Sequence, residues 1–548
     1  MSKIKGSEIL ARTLKLMGID TMFYIMGGPM LEVESGCIKQ GIRAIDVRHE
    51  QAGAMMAHGW GRSTGKIAVC MGCSGPGSTN MITGVATAWG DAVPVLAIGG
   101  SAPLAATGGG QGVFQEVDQV ALYRPITKWA ERVTNIRRIP EMVATAIRQA
   151  TQGRPGPVYL DMPGDIVYQE VDESEIAYPD PSRAMPAYRP YGDPAAIQEA
   201  VALLLQAERP IVLSGSGVLW SKAWEAFGSL VETAGIPFFT TPQGRGVLPD
   251  DHPLAFLHAK STALREADLI LSVATRSNYV NGHLKPPRFN ADAKVVQVNI
   301  DPQEIGLTRA CDVGIVGDAK AVLEQLLREG GSRLNPERYR AWVARLSKVN
   351  EEKAQKAEER LNTDQEPMHP LRLCKEVRDF LPRDAILVVD GQEILNYARQ
   401  SIPTYYPGHR LNSGTFGTMG VGLPFGIGAK LAHPDKQVLV LHGDGSFGMS
   451  AMELDTARRF NIPVVVVISL NGGWTADPDG VKPGRDLGFS RYDLMAQALG
   501  CHGEYVERPE DIRPALERAF NSGLPAVVNV KTDPLARAAT AKFASYST

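Results

Sequence analysis

Two short polar segments in the last third of the sequence carry residue types that bind divalent cations. The segment GDGS (443–446) follows the apolar run QVLVLH, and the segment NGG (471–473) follows the apolar run VVVVISL. Carboxylate and amide oxygens are suitable ligands for Mg²⁺, and glycines allow a phosphate group to approach the backbone closely. Each segment alone is typical of a turn. Because both follow apolar runs and 25 residues separate Gly445 from Asn471, the pair predicts a diphosphate–metal site at the carboxyl ends of two parallel strands.

This pair of segments resembles the cofactor motif of enzymes that use thiamine diphosphate, in which GDG is followed by two adjacent asparagines. The resemblance implies that Asp444, Asn471 and the backbone carbonyl oxygen of Gly473 hold Mg²⁺ against the diphosphate. Leu470 departs from the pattern, since it stands where the family usually has the first asparagine. The family's metal ligand is the second asparagine, so the metal site is still expected, with altered hydrogen bonding around it.

Thiamine diphosphate chemistry also needs a carboxyl group that hydrogen-bonds to and protonates N1′ of the cofactor's aminopyrimidine ring. Glu50 lies in the segment RHEQAG (48–53), at the end of a predicted strand and before a helix rich in Ala and Gly. The segment matches the family's H-E-x-A/G pattern, so the resemblance implies that Glu50 is this acid. The structural alternative is a carboxylate that is stabilised by the N-terminus of a helix.

Four further loops resemble cofactor-binding segments of the same family, namely MGGP (26–29), SGPG (74–77), DGQE (390–393) and LNSGTFGTMG (411–420). The resemblance implies that the carbonyl oxygen of Gly417 accepts a hydrogen bond from the aminopyrimidine, and that Met419 supports the bent cofactor. The full set of predicted cofactor contacts is Gly27, Gly28, Glu50, Ser74, Gln392, Gly417, Met419, Gly443, Asp444, Gly445, Ser446, Asn471, Gly473 and Trp474.

The elements that must position these residues follow a regular pattern. Short apolar runs rich in Val, Ile and Leu alternate with helical patterns along the whole chain, which is typical of parallel sheets covered on both faces. The proline-rich stretch 172–194 and the charged stretch from about 330 to 370 interrupt this pattern and are interpreted as linkers. We therefore predict three doubly wound α/β domains: a pyrimidine-binding domain (1–171), a central Rossmann-like domain (195–330) and a diphosphate-binding domain with a C-terminal tail (370–548).

Composition narrows the class of protein. The chain has 548 residues, and 57 Lys and Arg against 60 Asp and Glu give a net charge of −3, which leaves no basic field for nucleic acid. No apolar run approaches the ~18 residues of a membrane span, and the first residues have the pattern of an amphipathic helix. We expect a soluble, cytoplasmic protein with small-molecule substrates and no nucleic-acid or membrane partner.

Two regions bear on the branch of the family. The segment FQE (114–116) matches 2-hydroxyacyl-CoA lyases and acetolactate synthases, whereas oxalyl-CoA decarboxylases carry YEE. The middle domain resembles the lyase and oxalyl-CoA decarboxylase branch, which binds ADP there as a structural nucleotide. Arg154, Arg276 and Asp301 are the candidate ADP residues. An ordinary sheet with solvated charges is the alternative.

Other residues resemble benzaldehyde lyase, which cleaves 2-hydroxyketones without CoA. These are the segment ITKWAERV (126–133), Met419, and Trp474 three residues after Asn471. Thr475 also stands where the CoA branch has tyrosine. A 2-hydroxyketone lyase or carboligase therefore stays an alternative, as does an acetolactate-synthase-like enzyme acting on 2-oxoacids. A regulatory protein without catalysis would require loss of Asp444, Asn471 or Glu50, and all three are present.

The activity that the resemblance favours is cleavage of 2-hydroxyacyl-CoA to formyl-CoA and an aldehyde or ketone, with the reverse condensation also possible. Glu50, Gln115 and Asp477 are the candidate catalytic residues. Gln115 would orient a carbonyl or hydroxyl group of the substrate. Asp477 would be the base for the substrate hydroxyl, and its alternative is a turn residue.

The resemblance also has consequences for assembly. In this family the first domain of one subunit faces the third domain of another, so at least a homodimer is implied, and a dimer of dimers is expected. The basic tail after Asp533 resembles a segment that closes over CoA in the CoA branch. A frayed terminus is the alternative for the tail.

Overall fold

The computed structural model describes residues 2–108, 112–186 and 188–538. Three parallel sheets, each covered by helices, follow one another along the chain. This confirms the predicted fold class of three doubly wound α/β domains. The sheets occupy residues 21–163, 210–316 and 386–531. The domain limits 1–171, 195–330 and 370–548 stay a prediction.

The first sheet has six strands in the order β3-β2-β4-β5-β7-β6, and a short antiparallel pair, β1 with β8, lies beside it. The strands are β1 (Lys3–Lys5), β2 (Thr21–Tyr24), β3 (Arg43–Asp46), β4 (Ala68–Gly72), β5 (Val95–Ser101), β6 (Ala130–Arg132), β7 (Val158–Pro163) and β8 (Glu170–Asp172). The helices are α1 (Gly6–Leu16), α2 (Leu31–Lys39), α3 (Glu50–Thr64), α4 (Pro76–Asn80), α5 (Ile82–Asp91), α6 (Gln119–Tyr123), α7 (Ile139–Thr151) and α8 (Gly164–Tyr168).

The middle sheet has five strands in the order β10-β9-β11-β12-β13. These are β9 (Pro210–Ser214), β10 (Phe238–Thr240), β11 (Leu269–Val273), β12 (Lys294–Asn299) and β13 (Val313–Val316). The helices are α9 (Pro181–Ala184), α10 (Pro194–Gln206), α11 (Gly217–Trp220), α12 (Trp224–Ala234), α13 (Lys260–Glu266), α14 (Ala319–Gly330) and α15 (Arg340–Leu361). Helix α15 lies in the second predicted linker, but its Trp342 and Leu346 are buried in the core of the middle sheet. Much of this stretch therefore belongs to the packing of the middle unit.

The third sheet has six strands in the order β15-β14-β16-β17-β19-β18. These are β14 (Ile386–Asp390), β15 (Arg410–Asn412), β16 (Val438–Gly443), β17 (Val465–Leu470), β18 (His502–Val506) and β19 (Ala526–Lys531). The helices are α16 (Pro370–Phe380), α17 (Glu393–Ser401), α18 (Gly422–Ala432), α19 (Asp444–Gly448), α20 (Glu453–Arg459), α21 (Tyr492–Ala498) and α22 (Pro509–Asn521). Strands β14, β16 and β17 consist of buried Val, Ile and Leu along most of their length. The polar residues at their carboxyl ends are therefore easy to recognise in the sequence.

Helices α3 and α18 join the first and third units within the chain. A Cβ atom on Gly59 would lie 2.6 Å from the Cα atom of Phe425, and a Cβ on Gly428 would lie 2.3 Å from the carbonyl oxygen of Met56. Only glycine allows backbones to approach so closely. The two units share one hydrophobic core through this crossing.

No helix among residues 2–108, 112–186 and 188–538 combines the length and the apolar character that crossing a membrane requires.

Candidate active site

The carboxylate of Asp444 joins the two loops that the sequence singled out. Asp444 is the first residue of α19, directly after β16, and it is 2% exposed. Its Oδ2 atom accepts hydrogen bonds from the backbone N–H groups of Gly472 (2.7 Å) and Gly473 (3.1 Å), and its Oδ1 atom accepts one from Gly445 (2.8 Å). Burial raises the pKa of Asp444 to about 6. The neighbouring strand ends therefore form one connected unit.

One oxygen of this carboxylate and two further oxygen atoms lie close together in a way that fits Mg²⁺. The side-chain oxygen of Asn471 lies 3.1 Å from Oδ1 of Asp444 and 2.8 Å from the carbonyl oxygen of Gly473. Turning the amide would let its nitrogen donate to both atoms, so the present orientation offers three acceptors to a cation. Oxygens bound to one octahedral Mg²⁺ at 2.0–2.1 Å lie about 3 Å apart, so the spacing suits this ion.

The donor set also fits a metal held together with a diphosphate. In the part of the chain that the structure describes, no group of three or more His, Cys, Asp or Glu side chains could hold a metal ion. A site with Asp444 as its single carboxylate needs further oxygens, and Mg²⁺ commonly takes them from phosphate groups and water.

A cleft of about 430 Å³ opens above these atoms. The predicted cofactor contacts that line it are Gln392, Met419, Gly443, Asp444, Gly445, Ser446, Asn471, Gly473 and Trp474. Gly417 does not line this cleft. It has a left-handed φ of 71°, and a Cβ atom there would meet no atom within 4 Å.

Gly445 is required by its contact with an aromatic ring. A Cβ atom on Gly445 would lie 2.6 Å from the indole ring of Trp474. Because no side chain fits there, glycine lets the ring cover the start of α19. Trp474 keeps 39% of its surface exposed at the edge of the cleft.

Arg485 holds the second loop in place, a role that sequence reasoning missed. Its Nε atom donates to the carbonyl oxygen of Thr475 (2.5 Å), and its Nη2 atom donates to those of Asn471 (3.3 Å) and Pro534 (2.9 Å). The side chain is only 10% exposed. Arg485 therefore connects the loop that carries Asn471 to the C-terminal segment.

The start of the predicted tail lies against the cleft. Ala536 lines the cleft, and the backbone N–H of Ala538 donates to Oε2 of Glu393 (2.8 Å). The other carboxylate oxygen of Glu393 accepts a hydrogen bond from the Thr475 hydroxyl (3.0 Å). Residues 539–548 lie outside the described residues, and closure of the tail over a substrate stays a prediction.

In the first domain, Glu50 is the first residue of α3 and is 8% exposed. Its Oε2 atom accepts a hydrogen bond from the side-chain amide of Asn80 (2.9 Å). A Cβ atom on Gly77 would lie 3.2 Å from Oε1 of Glu50, so the carboxylate packs against the SGPG turn. Sequence reasoning missed Asn80, and its position six residues after Ser74 was the available signal.

The structure brings Gly27, Gly28, Ser74 and Gln115 together. The backbone N–H of Ser74 donates to the carbonyl oxygen of Gly28 (3.3 Å), and its hydroxyl donates to Oε1 of Gln115 (2.5 Å). A Cβ atom on Gly27 would lie 2.6 Å from Cβ of Cys73. The two loops are therefore joined by a backbone hydrogen bond, and Gly27 leaves room for the Cys73 side chain.

Gln115 itself has a left-handed backbone, with φ of 59°. Such a conformation is uncommon outside glycine and is frequent at functional sites. Its neighbour Gly75 donates its N–H to the side chain of Gln119 (2.7 Å), which in turn donates to Asp161 (2.7 Å). A buried network of polar side chains, Gln119 and Asp161, thus holds the SGPG turn that packs against Gln115.

Asp477 lies in the loop after Trp474 and is not among the residues that line the cleft. Its Oδ2 atom accepts a hydrogen bond from the backbone N–H of Lys482 (2.8 Å), and this bond holds its pKa below the usual range. The geometry is that of a carboxylate that closes a turn. Its role as a base stays a prediction.

The three candidate ADP residues lie where the first and middle units meet. Arg154 donates to the carbonyl oxygen of Trp89 (3.1 Å), and Arg276 donates to that of Gly90 (3.0 Å). Burial, and then the charge of Arg276, lower the pKa of Arg154. Asp301 accepts a backbone hydrogen bond from Gln303 (3.0 Å). Nucleotide binding there stays a prediction.

Comparison with protein families gives a match along most of the chain. Residues 4–122 match the thiamine pyrophosphate enzyme, N-terminal TPP binding domain. Residues 197–326 match the thiamine pyrophosphate enzyme, central domain, and residues 393–530 match the C-terminal TPP binding domain.

Curated relatives are similar over nearly the whole chain. A probable acetolactate synthase from Mycobacterium bovis is 36% identical, covering 96% of each chain. The 2-hydroxyacyl-CoA lyase from Oryza sativa is 35% identical, covering 99% of this chain and 97% of the relative. The oxalyl-CoA decarboxylase from Escherichia coli is 34% identical, covering 97% and 95%. Similar identity to three named activities leaves the substrate open.

Proposed function

The chain belongs to the family of thiamine-diphosphate-dependent enzymes, and we propose that within it this protein is a Mg²⁺-dependent carbon–carbon lyase acting on 2-hydroxyacyl-CoA. The products would be formyl-CoA and an aldehyde or ketone, and the reaction would also run as a condensation. When bound, thiamine diphosphate supplies the centre that takes up the electron pair of the broken carbon–carbon bond.

The observation that supports a CoA substrate is a cationic cavity between the middle and third units. It has about 1180 Å³ of open space. Arg245, Lys260, Arg288 and Arg399 line it, and no Asp or Glu stands among its described lining residues. Behind the wall, the buried carboxylate of Asp250 pairs with Arg245. Burial and the neighbouring guanidinium groups lower the pKa of Lys260 to about 7. An anionic ligand would relieve this repulsion, as the phosphate groups of CoA would.

Helix α17 connects this cavity to the cofactor cleft. Glu393, at the start of the helix, lines the cleft, and Arg399, six residues on, lines the cavity. At 1.5 Å per residue the two positions are about 9 Å apart along the helix. A CoA thioester carries its phosphates at one end and its reactive carbonyl at the other, with a flexible arm between them. Uncharged hydroxyketones and small 2-oxoacids carry no phosphate groups that would occupy this cationic cavity.

The residues of the chain divide the work. Asp444, Asn471 and Gly473 would hold Mg²⁺ and the diphosphate, and Glu50 would give and retrieve a proton at N1′ of the aminopyrimidine. Gln115 would orient the thioester carbonyl or the hydroxyl group of the substrate, with its amide fixed by Ser74.

We propose further that each active site lies between two copies of the chain. Every described residue that lines the cofactor cleft comes from 370–538, so Glu50 lies outside it. Large apolar side chains are exposed beside both half-sites, with Phe114 83% and Met26 59% exposed on one side and Met449 54% exposed on the other. Exposed apolar patches of this kind typically become interfaces. A symmetric dimer would bring the two halves together.

The test is a substrate panel with the purified enzyme, thiamine diphosphate and Mg²⁺. We expect formyl-CoA from a 2-hydroxyacyl-CoA, with oxalyl-CoA, pyruvate and benzoin turned over poorly. Lys260→Met and Arg288→Gln should each raise KM for the acyl-CoA by about 10- to 100-fold, since each removes one charged contact. Lys285→Met, at an exposed position outside the cavity, is the matched control and should leave KM unchanged.

Two results would contradict the proposal. Efficient turnover of benzoin with little turnover of any acyl-CoA would favour a hydroxyketone lyase. Acetolactate formation from pyruvate would favour a synthase, in which case the Lys260 and Arg288 variants would not change KM.

A further inference from the structure

A buried carboxylate of the third unit reaches across to the segment that carries Glu50. Glu453, the first residue of α20, is 2% exposed. Its two oxygens lie 3.2 and 3.3 Å from the backbone nitrogen of Arg48, which donates to them. The hydroxyl of Thr456 donates to one of these oxygens (2.7 Å) and fixes their orientation.

The contact falls at the start of the helix that presents Glu50. Arg48 and His49 immediately precede Glu50, and the ring of His49 caps α3 by accepting the N–H of Gln51 (3.2 Å). The N–H of Arg48 lies two positions before the first residue of α3, so the buried carboxylate holds the chain directly before it turns into the helix. Glu453 therefore sets the direction in which the chain enters α3.

Other ion pairs link the same two segments, but they are exposed. Arg459 pairs with Asp46 (2.9 Å), and Arg48 lies 3.7 Å from Asp455. The side chains of these pairs are 27–52% exposed, and exposed pairs contribute little. Glu453 is the buried contact of the group and accepts from the backbone N–H of Arg48, whereas the exposed Arg459 donates to the backbone carbonyl oxygen of Asp46 (2.8 Å).

We propose that Glu453 is a positioning residue for Glu50, so that it holds the backbone of residues 48–49 and thereby places the carboxyl group against the cofactor. The proposal rests on the role proposed above for Glu50. Asn80 fixes one oxygen of Glu50 from the side, whereas Glu453 fixes the chain from which the side chain extends. Catalytic groups need placement to within about 0.5 Å, and a side chain at a helix start moves with its backbone.

The test compares two substitutions at Glu453 in the full-length enzyme with cofactor and Mg²⁺. Glu453→Ala removes the acceptor and should lower kcat by about 10-fold or more, with the KM values for cofactor and substrate within threefold of wild type. Burial raises the pKa of Glu453 to about 7, so an uncharged amide is a close substitute. Glu453→Gln should therefore keep kcat within about threefold. Asp455→Asn, two positions along α20, is the control and should change kcat less than twofold.

A double-mutant cycle with Glu50→Gln separates positioning from general damage. If Glu453 acts through the Glu50 carboxyl group, Glu453→Ala should have no further effect on kcat once that group is an amide. An equal loss of kcat in both backgrounds would overturn the proposal, as would a wild-type kcat for Glu453→Ala.

Two further outcomes are separable. Near-wild-type activity of Glu50→Gln alone would refute the role of Glu50, and with it the proposed function of this site. Should Glu453→Ala fail to fold, Thr456→Val removes the hydroxyl that orients Glu453 and should lower kcat about two- to fivefold, again only when Glu50 is present. No effect of Thr456→Val would then count against the proposal.

Discussion

The two halves of the candidate site are built in different ways. The diphosphate half consists of two loops of the third sheet. The carboxylate of Asp444 joins them by accepting hydrogen bonds from three backbone N–H groups. The pyrimidine half combines short segments near residues 27, 50, 74 and 115, which contact one another through side chains and close backbone packing. One half is held by adjacent strand ends, and the other by contacts between distant parts of the chain.

The difference in construction suggests that the diphosphate half mainly binds the cofactor and that the pyrimidine half mainly serves catalysis. Loops held by backbone hydrogen bonds at strand ends give a rigid seat for a charged group. Side chains such as Glu50 and Gln115, held by one or two partners each, are positioned for reactive atoms and are easier to disturb. Substitutions in the diphosphate half should therefore abolish cofactor binding. Substitutions in the pyrimidine half should impair turnover while the cofactor still binds.

The largest effect is expected from Asp444→Ala. The substitution removes a charged metal ligand and also frees the N–H groups that hold the Asn471 loop. We expect activity to fall by at least about 10³-fold, with Mg²⁺-dependent binding of thiamine diphosphate lost in calorimetry. Asp486→Ala, at a 90% exposed side chain in the same loop, is the control. Unchanged cofactor affinity in Asp444→Ala would contradict the assignment of the metal site.

Glu50→Gln should affect turnover and not binding. The amide keeps the hydrogen bond to Asn80 through its oxygen, but it cannot protonate N1′ of the cofactor. We expect kcat to fall by about 10²- to 10³-fold, in the range of general acid–base catalysis, while calorimetry gives a cofactor affinity within threefold of wild type. If cofactor affinity fell as far as in Asp444→Ala, the distinction between the two halves would be wrong.

Mixing these two inactive variants tests whether the halves belong to different copies of the chain. In a mixed dimer, one site would carry both substitutions and the other would carry none. Random exchange of subunits in a symmetric dimer should then restore about a quarter of wild-type activity, measured after dissociation and reassembly. The controls are each variant treated alone. No recovery, in a mixture shown to contain mixed dimers, would place both halves in one chain.

The smallest effect is expected at Asp477. Its hydrogen bond to Lys482 supports the turn alternative. Under that alternative, Asp477→Asn should lower kcat by less than about threefold, with cofactor binding unchanged. A carboxylate whose pKa is depressed is also a weaker base. A fall of about 10²-fold or more in steady-state kinetics would instead support the role of Asp477 as the base for the substrate hydroxyl.

The sequence predicts the diphosphate half better than its partner because the signals for it are local. Runs such as VVVVISL are strands buried on both faces, so a polar residue directly after them marks the edge of the sheet where Asp444 and Asn471 lie. The three-domain architecture follows from the same alternation of apolar runs and helices.

Other residues gave no local signal. Glu453 meets Arg48 across 405 positions of sequence, and Arg485 acts on backbone carbonyls, which every residue possesses. The cationic cavity likewise combines Lys260 and Arg288 with Arg399 of another unit. Contacts of this kind depend on how the units pack against one another, and the periodicity and spacing of residues in the sequence do not predict that packing.

The crossing of α3 and α18 has a mechanical consequence. At Gly59 and Gly428 the two backbones are in such close contact that neither helix can slide along the other without a steric clash. The first and third units of one chain must therefore travel as a single body. A large hinge opening between these two units of one chain is therefore not available. Access to a site between two copies has to come from movement of surface loops, such as the one from 474 to 489, or from movement of one copy relative to the other.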